Sequence, residues 1–424
     1  MSFQFSPRIL PQSWLFWSAI CAETTLAAFA IVLTLKRSLT RRVVNLVLTL
    51  LVCTEISLLP SLGGPPVLKG LLSFFILLKA CHLASIFAVI GIELRDHIDY
   101  ATLRNSRIIP QLLAASGLVF SFRGIGTPWE IKILKAQAQP HATPPTRSRC
   151  LLRRAARVLL QIFAVDLIFF GYIDSHQRWK PQVFDFETEF LGPNTTAEQL
   201  IARSHLCIVG IVGLAMLIDL AHGLLAITFI ATGLTSCAQW PPAFGRISDA
   251  YTVRRFWAKT WHQFLRWPTL SVSTCVRRHL RRVIQLPPLA DQLLSLIMVF
   301  SLSGFFHQAA AVYTDVPGSL VGISSFFMIS PLAMLFEEGA QRVYCEVLVP
   351  RLGWRVPRHC GYLLGYLWTY LCIYLFAPWF LFPIFRLPLD RDHLGDYSVT
   401  KAFGATATGA LIALAGLGVR YASW

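Results

Sequence analysis

Charged residues are scarce in this chain, and their scarcity excludes a water-soluble globule of this length. Asp, Glu, Lys and Arg make up only 14% of the 424 residues, whereas a soluble domain usually carries about 25%. The polar surface is too small to cover such a globule, unless lipid covers part of the molecule. Acidic residues are fewer than basic residues, 22 against 38.

Several catalytic and metal-binding motifs are also missing. No Gly-x-Ser-x-Gly, His-Glu-x-x-His or His-x-x-x-Asp string occurs, so no serine-hydrolase elbow, zincin or soluble plant-type acyltransferase is indicated. The ten cysteines show no Cys-x-x-Cys spacing. We therefore expect ten free thiols packed as small apolar groups, without a structural zinc or a disulfide framework.

Long hydrophobic runs dominate what is present. A membrane crossing needs about 20 apolar residues, and the runs predict an all-α, polytopic transmembrane helical bundle of about nine spans. The predicted spans are 13–35, 43–62, 68–93, 158–174, 205–234, 289–313, 319–338, 361–385 and 402–419. A tenth run, 108–122, is short and holds Pro110 and Gly117. It could form a full crossing, a re-entrant helix or an interfacial helix.

The loop charges predict an orientation. Lys and Arg cluster in loops 94–157 and 235–288 but are sparse in loops 175–204 and 386–401. The positive-inside rule then places the basic loops in the cytosol, the N-terminus in the lumen and the C-terminus in the cytosol, in a membrane such as the endoplasmic reticulum. This rule explains the net charge of +16 without nucleic acid as a partner. Asn194 begins a glycosylation sequon in a predicted lumenal loop.

In chain order, we predict three segments. They are N-terminal transmembrane helices (1–107), a cytosolic or re-entrant segment with a linker (108–157), and a membrane core with a cytosolic amphipathic helix at 250–267 (158–424).

Ionisable residues inside the spans are functional candidates because a bilayer makes them costly. They are Glu23, Glu55, Lys79, His82, Asp166, Asp219, His222 and His307. Lys79 lies one turn from His82, and Asp219 one turn from His222, so each pair is predicted to satisfy itself locally.

His307 differs from these pairs. Helical spacing puts Ser303, Ala310, Ala311 and Thr314 on the same side of its span, and these small residues can line a cavity. A neutral imidazole there can accept a proton from a hydroxyl. The same spacing also fits a structural role, in which His307 forms a hydrogen bond to a neighbouring helix.

Residues 250–266 predict a basic amphipathic helix that ends at Pro268. One face would carry Val253, Phe256, Trp257, Thr260, Trp261 and Phe264, and the opposite face Arg255, Lys259, His262 and Arg266. An anchor on anionic lipid and a cationic wall for the phosphates of coenzyme A both fit this pattern.

Three segments resemble the wax synthase-like branch of the membrane-bound O-acyltransferases. They are the tight turn Arg123-Gly124-Ile125-Gly126 with Trp129, the run Phe256-Trp257 to Trp261-His262, and Ser303-Gly304-Phe305-Phe306-His307. The resemblance extends over about residues 120–380. It is strongest to fungal members that acetylate hydroxyls of terpenoid and meroterpenoid natural products.

The resemblance implies that His307 is the catalytic base and that His262 occupies a second site position, which is Asn in many relatives. It implies acetyl-CoA as co-substrate, with its phosphates near Arg254, Arg255 or Lys259, and a lipophilic alcohol as acceptor. Substrate contacts would come from Trp257, Trp261 and Ser303, with membrane lipid around the bundle and no bound cofactor or metal.

Other functions remain open at this point. A long-chain wax or sterol ester synthase belongs to the same class, because the sequence does not reveal the acyl tunnel. A membrane transporter would use the scattered intramembrane charges, although no internal repeat supports it. A lipid-binding scaffold with an inactive site is the third alternative.

Overall fold

The computed structural model describes residues 9–97, 99–131, 146–173, 188–316, 320–353, 355–387 and 397–421. All regular structure in these ranges is helical, which confirms the predicted all-α fold. The longer helices are α1 (Ile9–Leu33), α2 (Leu39–Leu58), α3 (Pro66–Ala84), α4 (Ile108–Val119), α5 (Arg147–Asp166), α6 (Ala197–Ala231), α7 (Arg266–Leu280), α8 (Pro288–Tyr313), α9 (Leu320–Val343), α10 (Arg358–Phe376), α11 (Pro378–Phe385) and α12 (Val399–Tyr421).

Short helical segments extend or connect these helices. The short α-helical turns are Tyr100–Leu103, Val253–Arg255 and Val349–Leu352. The 3-10 turns are Leu59–Ser61, Leu94–Asp96, Cys237–Gln239 and Ile247–Asp249. The π-helical turns are Ser85–Ile90, Leu167–Ile173, Phe256–Thr260 and Tyr344–Leu348. Within the predicted segment 108–157, which includes the linker, residues 132–145 lie outside the described residues. So do residues 175–187 of loop 175–204 and residues 388–396 of loop 386–401.

Seven helices of the described residues are long and apolar enough to cross a membrane, and the bent pair of α10 and α11 makes up to eight. Eight of the nine predicted spans coincide with them, so the chain is an integral, multi-pass membrane protein. The spans are Ser13–Leu33, Leu39–Ser61, Pro66–Ile90, Ala197–Ala231, Pro288–Tyr313, Val321–Arg351, Val399–Gly416 and the 49° pair Arg358–Phe376 with Pro378–Phe385.

The remaining predicted span, 158–174, corresponds to the second half of α5 and the π-helical turn that follows. The first half of α5 is rich in arginine, which lowers the hydropathy of the whole helix. Arg147 donates to the Ala231 carbonyl at one end of α6, while Val158 lies beside Gly223 and Ile168 beside Gly213. Along these three contacts the residue number rises in α5 and its extension and falls in α6. The two segments therefore lie antiparallel.

The short run at 108–122 forms α4, a helix of 12 residues. At a rise of 1.5 Å per residue it is about 18 Å long, whereas the hydrocarbon core is about 30 Å thick. A straight crossing by α4 is therefore excluded.

The chain divides into two compact units. The first consists of Met1–Lys132, Phe264–Val316 and Ile323–Leu332, and the second of Ile133–Gln263, Pro317–Gly322 and Ala333–Trp424. In the first unit α3 packs on α8, α1 packs on α2 and α4, and α7 packs on α8. In the second unit α5 packs on α6 and α12.

Three charged side chains of the first unit form an ion cluster that the sequence does not reveal. Lys79 of α3 pairs with Glu23 of α1 and with Glu55 of α2, 3.0 Å away, and all three side chains are completely buried. The predicted local pairing of Lys79 with His82 is therefore wrong. His82 instead places its Nε2 atom 3.0 Å from the Leu118 carbonyl oxygen of α4.

The second predicted local pair, Asp219 with His222, is also wrong. The Asp219 carboxylate of α6 accepts hydrogen bonds from Arg157 and Gln161 of α5, and His222 packs against the Trp240 ring. Asp219 thus serves an interhelical contact, because a neighbouring helix offers partners that sequence spacing within one helix cannot show.

Cys150 and Cys237 of the second unit form a disulfide, with their Cα atoms 6.4 Å apart. The expectation of ten free thiols is wrong for this pair. Cys150 lies in the first turn of α5 and Cys237 follows the end of α6. The antiparallel packing of these two helices brings the cysteines together across 87 residues of sequence.

Candidate functional site

His307 lies in α8, four residues after Ser303, and its ring orientation is set by the backbone of its own helix. Its Nδ1 atom is 2.7 Å from the Ser303 carbonyl oxygen. A carbonyl oxygen only accepts hydrogen bonds, so Nδ1 carries the hydrogen. In the neutral ring the lone pair is then on Nε2, which is the atom able to take a proton.

Two aromatic rings from other helices hold the imidazole. Phe327 of α9 stacks on it with ring centroids 4.3 Å apart, and Phe74 of α3 meets it edge-on at 4.9 Å. Gly304 allows the close approach of α9, because a Cβ at this position would lie 3.3 Å from the Phe327 Cβ. The His307 ring is thus fixed by three helices of the first unit.

The approach of α3 to α8 depends on Gly70. A Cβ on Gly70 would lie 1.8 Å from Thr314 Oγ1 and 2.7 Å from the Ala310 carbonyl oxygen. Phe74 follows Gly70 by one helical turn, so this contact also sets the distance between Phe74 and His307.

The predicted tight turn after Phe122 is confirmed, also within the first unit. Gly124 has a φ of +61° and lies so close to Trp129 that a Cβ would be 2.5 Å from its ring. Trp129 packs against Trp267 of α7, with ring centroids 5.7 Å apart, and Arg123 lies over the Phe264 ring at 5.0 Å. The turn therefore holds the start of α7.

The predicted single helix over 250–267 is wrong. Residues Val253–Arg255 form a short helix, Phe256–Thr260 form a π-helical turn, and Trp261 is extended with ψ of 154°. Pro268 lies in the first turn of α7 and does not end a helix, because a helix needs no N–H donor at that position. Consequently the predicted apolar and basic faces of a continuous helix are not formed.

Trp261 is the centre of an aromatic cluster in the second unit. Its ring lies 5.4 to 6.0 Å from those of Phe244, Phe256, Trp257 and His262. The predicted grouping of Phe256, Trp257 and Trp261 is present, but His262 joins them and does not lie on an opposite face. The Gln263 amide donates to the Trp261 carbonyl oxygen at 2.6 Å and stabilises the bend.

The predicted phosphate-binding cations have carboxylate partners within the second unit. Arg254 pairs with Glu338 at 2.7 Å, and Glu338 also binds Arg342 as the i,i+4 spacing predicts. Arg255 pairs with Asp249 and lies 4.3 Å over the Tyr251 ring.

Lys259 differs from Arg254 and Arg255. It is partly exposed and makes no ion pair with any described residue. Arg266, predicted beside it, begins α7 in the first unit, where burial lowers the pKa of its guanidinium.

Sequence reasoning missed Phe74 and Phe327, because no spacing along the chain connects three separate helices to one imidazole. The predicted glycosylation residue, Asn194, is exposed just before α6. Within the described ranges, no group of three or more His, Cys, Asp or Glu side chains is arranged to hold a metal ion.

Comparison with known proteins supplies independent information. Residues 240–329, which include both His262 and His307, match the membrane bound O-acyl transferase family. The chain is 28% identical over 389 residues to the protein named acetyltransferase pyr8 of Aspergillus fumigatus, covering 90% of both chains.

Two further relatives carry similar names. Acetyltransferase atnC of Arthrinium sp is 29% identical over 75% of this chain and 73% of its own. Acetyltransferase TRI7 of Fusarium sporotrichioides is 28% identical over 72% of this chain and 71% of its own. These matches confirm the resemblance and the assignment to acyltransferase enzymes.

Proposed function

We propose that this membrane-bound O-acyltransferase transfers an acetyl group from acetyl-CoA to a hydroxyl of a lipophilic terpenoid or meroterpenoid. The acetyl group is suggested by the names of the relatives, and the lipophilic acceptor by the membrane-spanning fold. The observation that carries the chemistry is the hydrogen bond between His307 Nδ1 and the Ser303 carbonyl oxygen.

In the proposed reaction His307 acts as general base. Its Nε2 atom takes the proton of the acceptor hydroxyl while the hydroxyl oxygen attacks the thioester carbonyl carbon. A C–O bond forms, the C–S bond breaks, and the leaving coenzyme A thiolate takes the proton from His307 Nε2, which restores the neutral imidazole. Because the thioester is already activated, positioning and one base suffice, and no covalent acyl-enzyme is required.

The roles of the other candidates follow from the resemblance. His262 is proposed to orient the thioester or to stabilise the oxyanion, and Trp257, Trp261 and Ser303 to contact substrate. Among the cations, Lys259 is the strongest candidate for a coenzyme A phosphate, because Arg254 and Arg255 already bind carboxylates.

The proposed location is the endoplasmic reticulum, with the N-terminus lumenal and the C-terminus cytosolic. The basic loops support this orientation, which gives cytosolic acetyl-CoA access to the chain while the alcohol dissolves in the bilayer.

Acyl transfer in membranes of an expressing host tests the proposal. Labelled acetyl-CoA and labelled long-chain acyl-CoA are supplied separately with a panel of terpenoid alcohols, and the esters formed are identified. Acetyl esters are expected. Long-chain esters alone would favour a wax or sterol ester synthase, and no turnover with any acyl-CoA would contradict the proposed function.

A further inference from the structure

The C-terminal half of α7 carries a basic pocket that the proposed reaction does not use. Its volume is about 390 Å³, and it is lined by Thr274, Arg277, Arg278, Arg281 and Arg282. The spacings of three and four residues put Thr274, Arg277 and Arg278 on one face of the helix, and the turn that follows Leu280 carries Arg281 and Arg282. Four guanidinium groups therefore converge on one cavity within the first unit.

A single carboxylate organises half of this pocket. Asp291, buried in the first turn of α8, accepts hydrogen bonds from both Arg277 and Arg281. These bonds raise the pKa of the Arg281 guanidinium above its ordinary value. One carboxylate against four guanidinium groups leaves the pocket strongly positive.

The other two arginines are available to a ligand. Arg278 and Arg282 are exposed, and no carboxylate of the described residues pairs with either. A planar guanidinium donates two parallel hydrogen bonds to phosphate oxygens, which a compact ammonium cannot do. The pocket thus combines two fixed arginines with two arginines that can close on an anion.

The surroundings of the pocket indicate where the ligand comes from. Val276, Val283, Ile284 and Leu289 are all exposed beside the arginines, and the spanning helix α8 begins at Pro288. Exposed apolar side chains among cations are typical of the interface between headgroups and acyl chains. This combination of side chains fits a pocket at the level of the lipid phosphate groups.

We propose that this arginine pocket binds a phosphate group at the membrane surface. An anionic phospholipid headgroup and the phosphates of coenzyme A present the same chemistry to it. Binding here is independent of the acetyl transfer proposed above, except that the coenzyme A source would make the pocket part of the same reaction.

Ligand-induced thermal stabilisation of the purified full-length chain in detergent tests the proposal, because a ligand that binds the folded state raises Tm. The probes are coenzyme A, phosphatidic acid, and a diacylglycerol with the same acyl chains but no phosphate. The variants are Arg278→Ala/Arg282→Ala, the single Arg282→Ala and the conservative Arg278→Lys/Arg282→Lys. Arg104→Ala/Arg107→Ala is the matched control, since these two arginines are also exposed in the first unit.

The expected result is a rise in Tm with one phosphate-bearing probe and none with diacylglycerol. The apparent affinity should fall at least tenfold in the double alanine variant, less in the single variant and the lysine variant, and not at all in the Arg104/Arg107 control. A response to phosphatidic acid alone identifies a lipid source, and a response to coenzyme A alone a nucleotide source.

The proposal is overturned if neither probe raises the Tm of the wild-type chain. It is equally overturned if the single Arg282→Ala and the double variant respond like the wild type. Because no acyl transfer is measured, failure here leaves the acetyl transfer standing, and failure of acetyl transfer leaves this result unaffected.

Discussion

The Nδ1 atom of His307 lies 2.7 Å from the carbonyl oxygen of Ser303, one helical turn earlier in α8. This bond assigns the ring hydrogen to Nδ1 and the lone pair to Nε2. If Nε2 is the catalytic base, His307→Ala should lower acetyl transfer by about 10²- to 10⁴-fold. The rate of ester formation in membranes, divided by the amount of inserted protein, measures the effect.

His205 provides the matched control for this substitution. Its Nδ1 atom also contacts the carbonyl oxygen four residues earlier, that of Ile201, at 3.1 Å, but its ring is exposed on α6. His205→Ala should leave the rate unchanged. Wild-type transfer by a correctly inserted His307→Ala variant would refute the role of His307.

Gly70→Ala should destabilise the first unit and also slow the reaction. The added Cβ would lie 2.7 Å from the Ala310 backbone oxygen, and backbone cannot move aside as a side chain does. Overpacking of this kind costs about 1–3 kcal/mol, and it pushes Phe74 away from His307. Thermal retention of monodisperse protein and the transfer rate are the two measurements.

Gly409→Ala is the appropriate comparison, because a Cβ there meets nothing within 4 Å. It should match the wild type in both assays. Equal stability of Gly70→Ala and Gly409→Ala would show that α3 and α8 do not approach as closely as described.

The helices were largely predictable because hydropathy within a window needs no knowledge of neighbours. The partners of Lys79 and Asp219 were not predictable, since local spacing offered each a histidine while the real partners lie on other helices. The prediction that the side chains of 250–267 divide into two faces of one helix was wrong, because the extended backbone of Trp261 interrupts the helix. For the candidate site, the sequence singles out His307, whose catalytic role stays a prediction, but not the two phenylalanines that hold its ring.

Lys79→Met should strongly destabilise the chain. It leaves the buried carboxylates of Glu23 and Glu55 without their shared cation, and loss of one partner from a buried pair costs about 3–5 kcal/mol. The triple variant Glu23→Gln/Glu55→Gln/Lys79→Met removes all three charges and should recover most of the loss. The fraction of folded protein after detergent extraction measures both, and a triple variant no better than Lys79→Met would contradict charge burial as the cause.

Asn194 and Cys237 stand at opposite ends of α6, which spans Ala197–Ala231. Because α6 crosses the membrane, a glycan on Asn194 and a lumenal Cys150–Cys237 disulfide exclude each other. The basic loops favour Asn194 in the lumen, so an endoglycosidase should shift the wild-type band but not that of Asn194→Gln.

In the same orientation the two cysteines face the reducing cytosol. The structure places the two cysteines to form the disulfide, but we expect the reducing cytosol to keep that bond open in cells. Both should therefore react with a maleimide in fresh membranes and become protected only after oxidation, which should then stabilise the purified chain by about 2–4 kcal/mol. Cys150→Ser, which cannot form the bond, should gain nothing from the oxidant. The opposite pattern, an unglycosylated chain whose cysteines are protected in cells without oxidant, would reverse the orientation of α6.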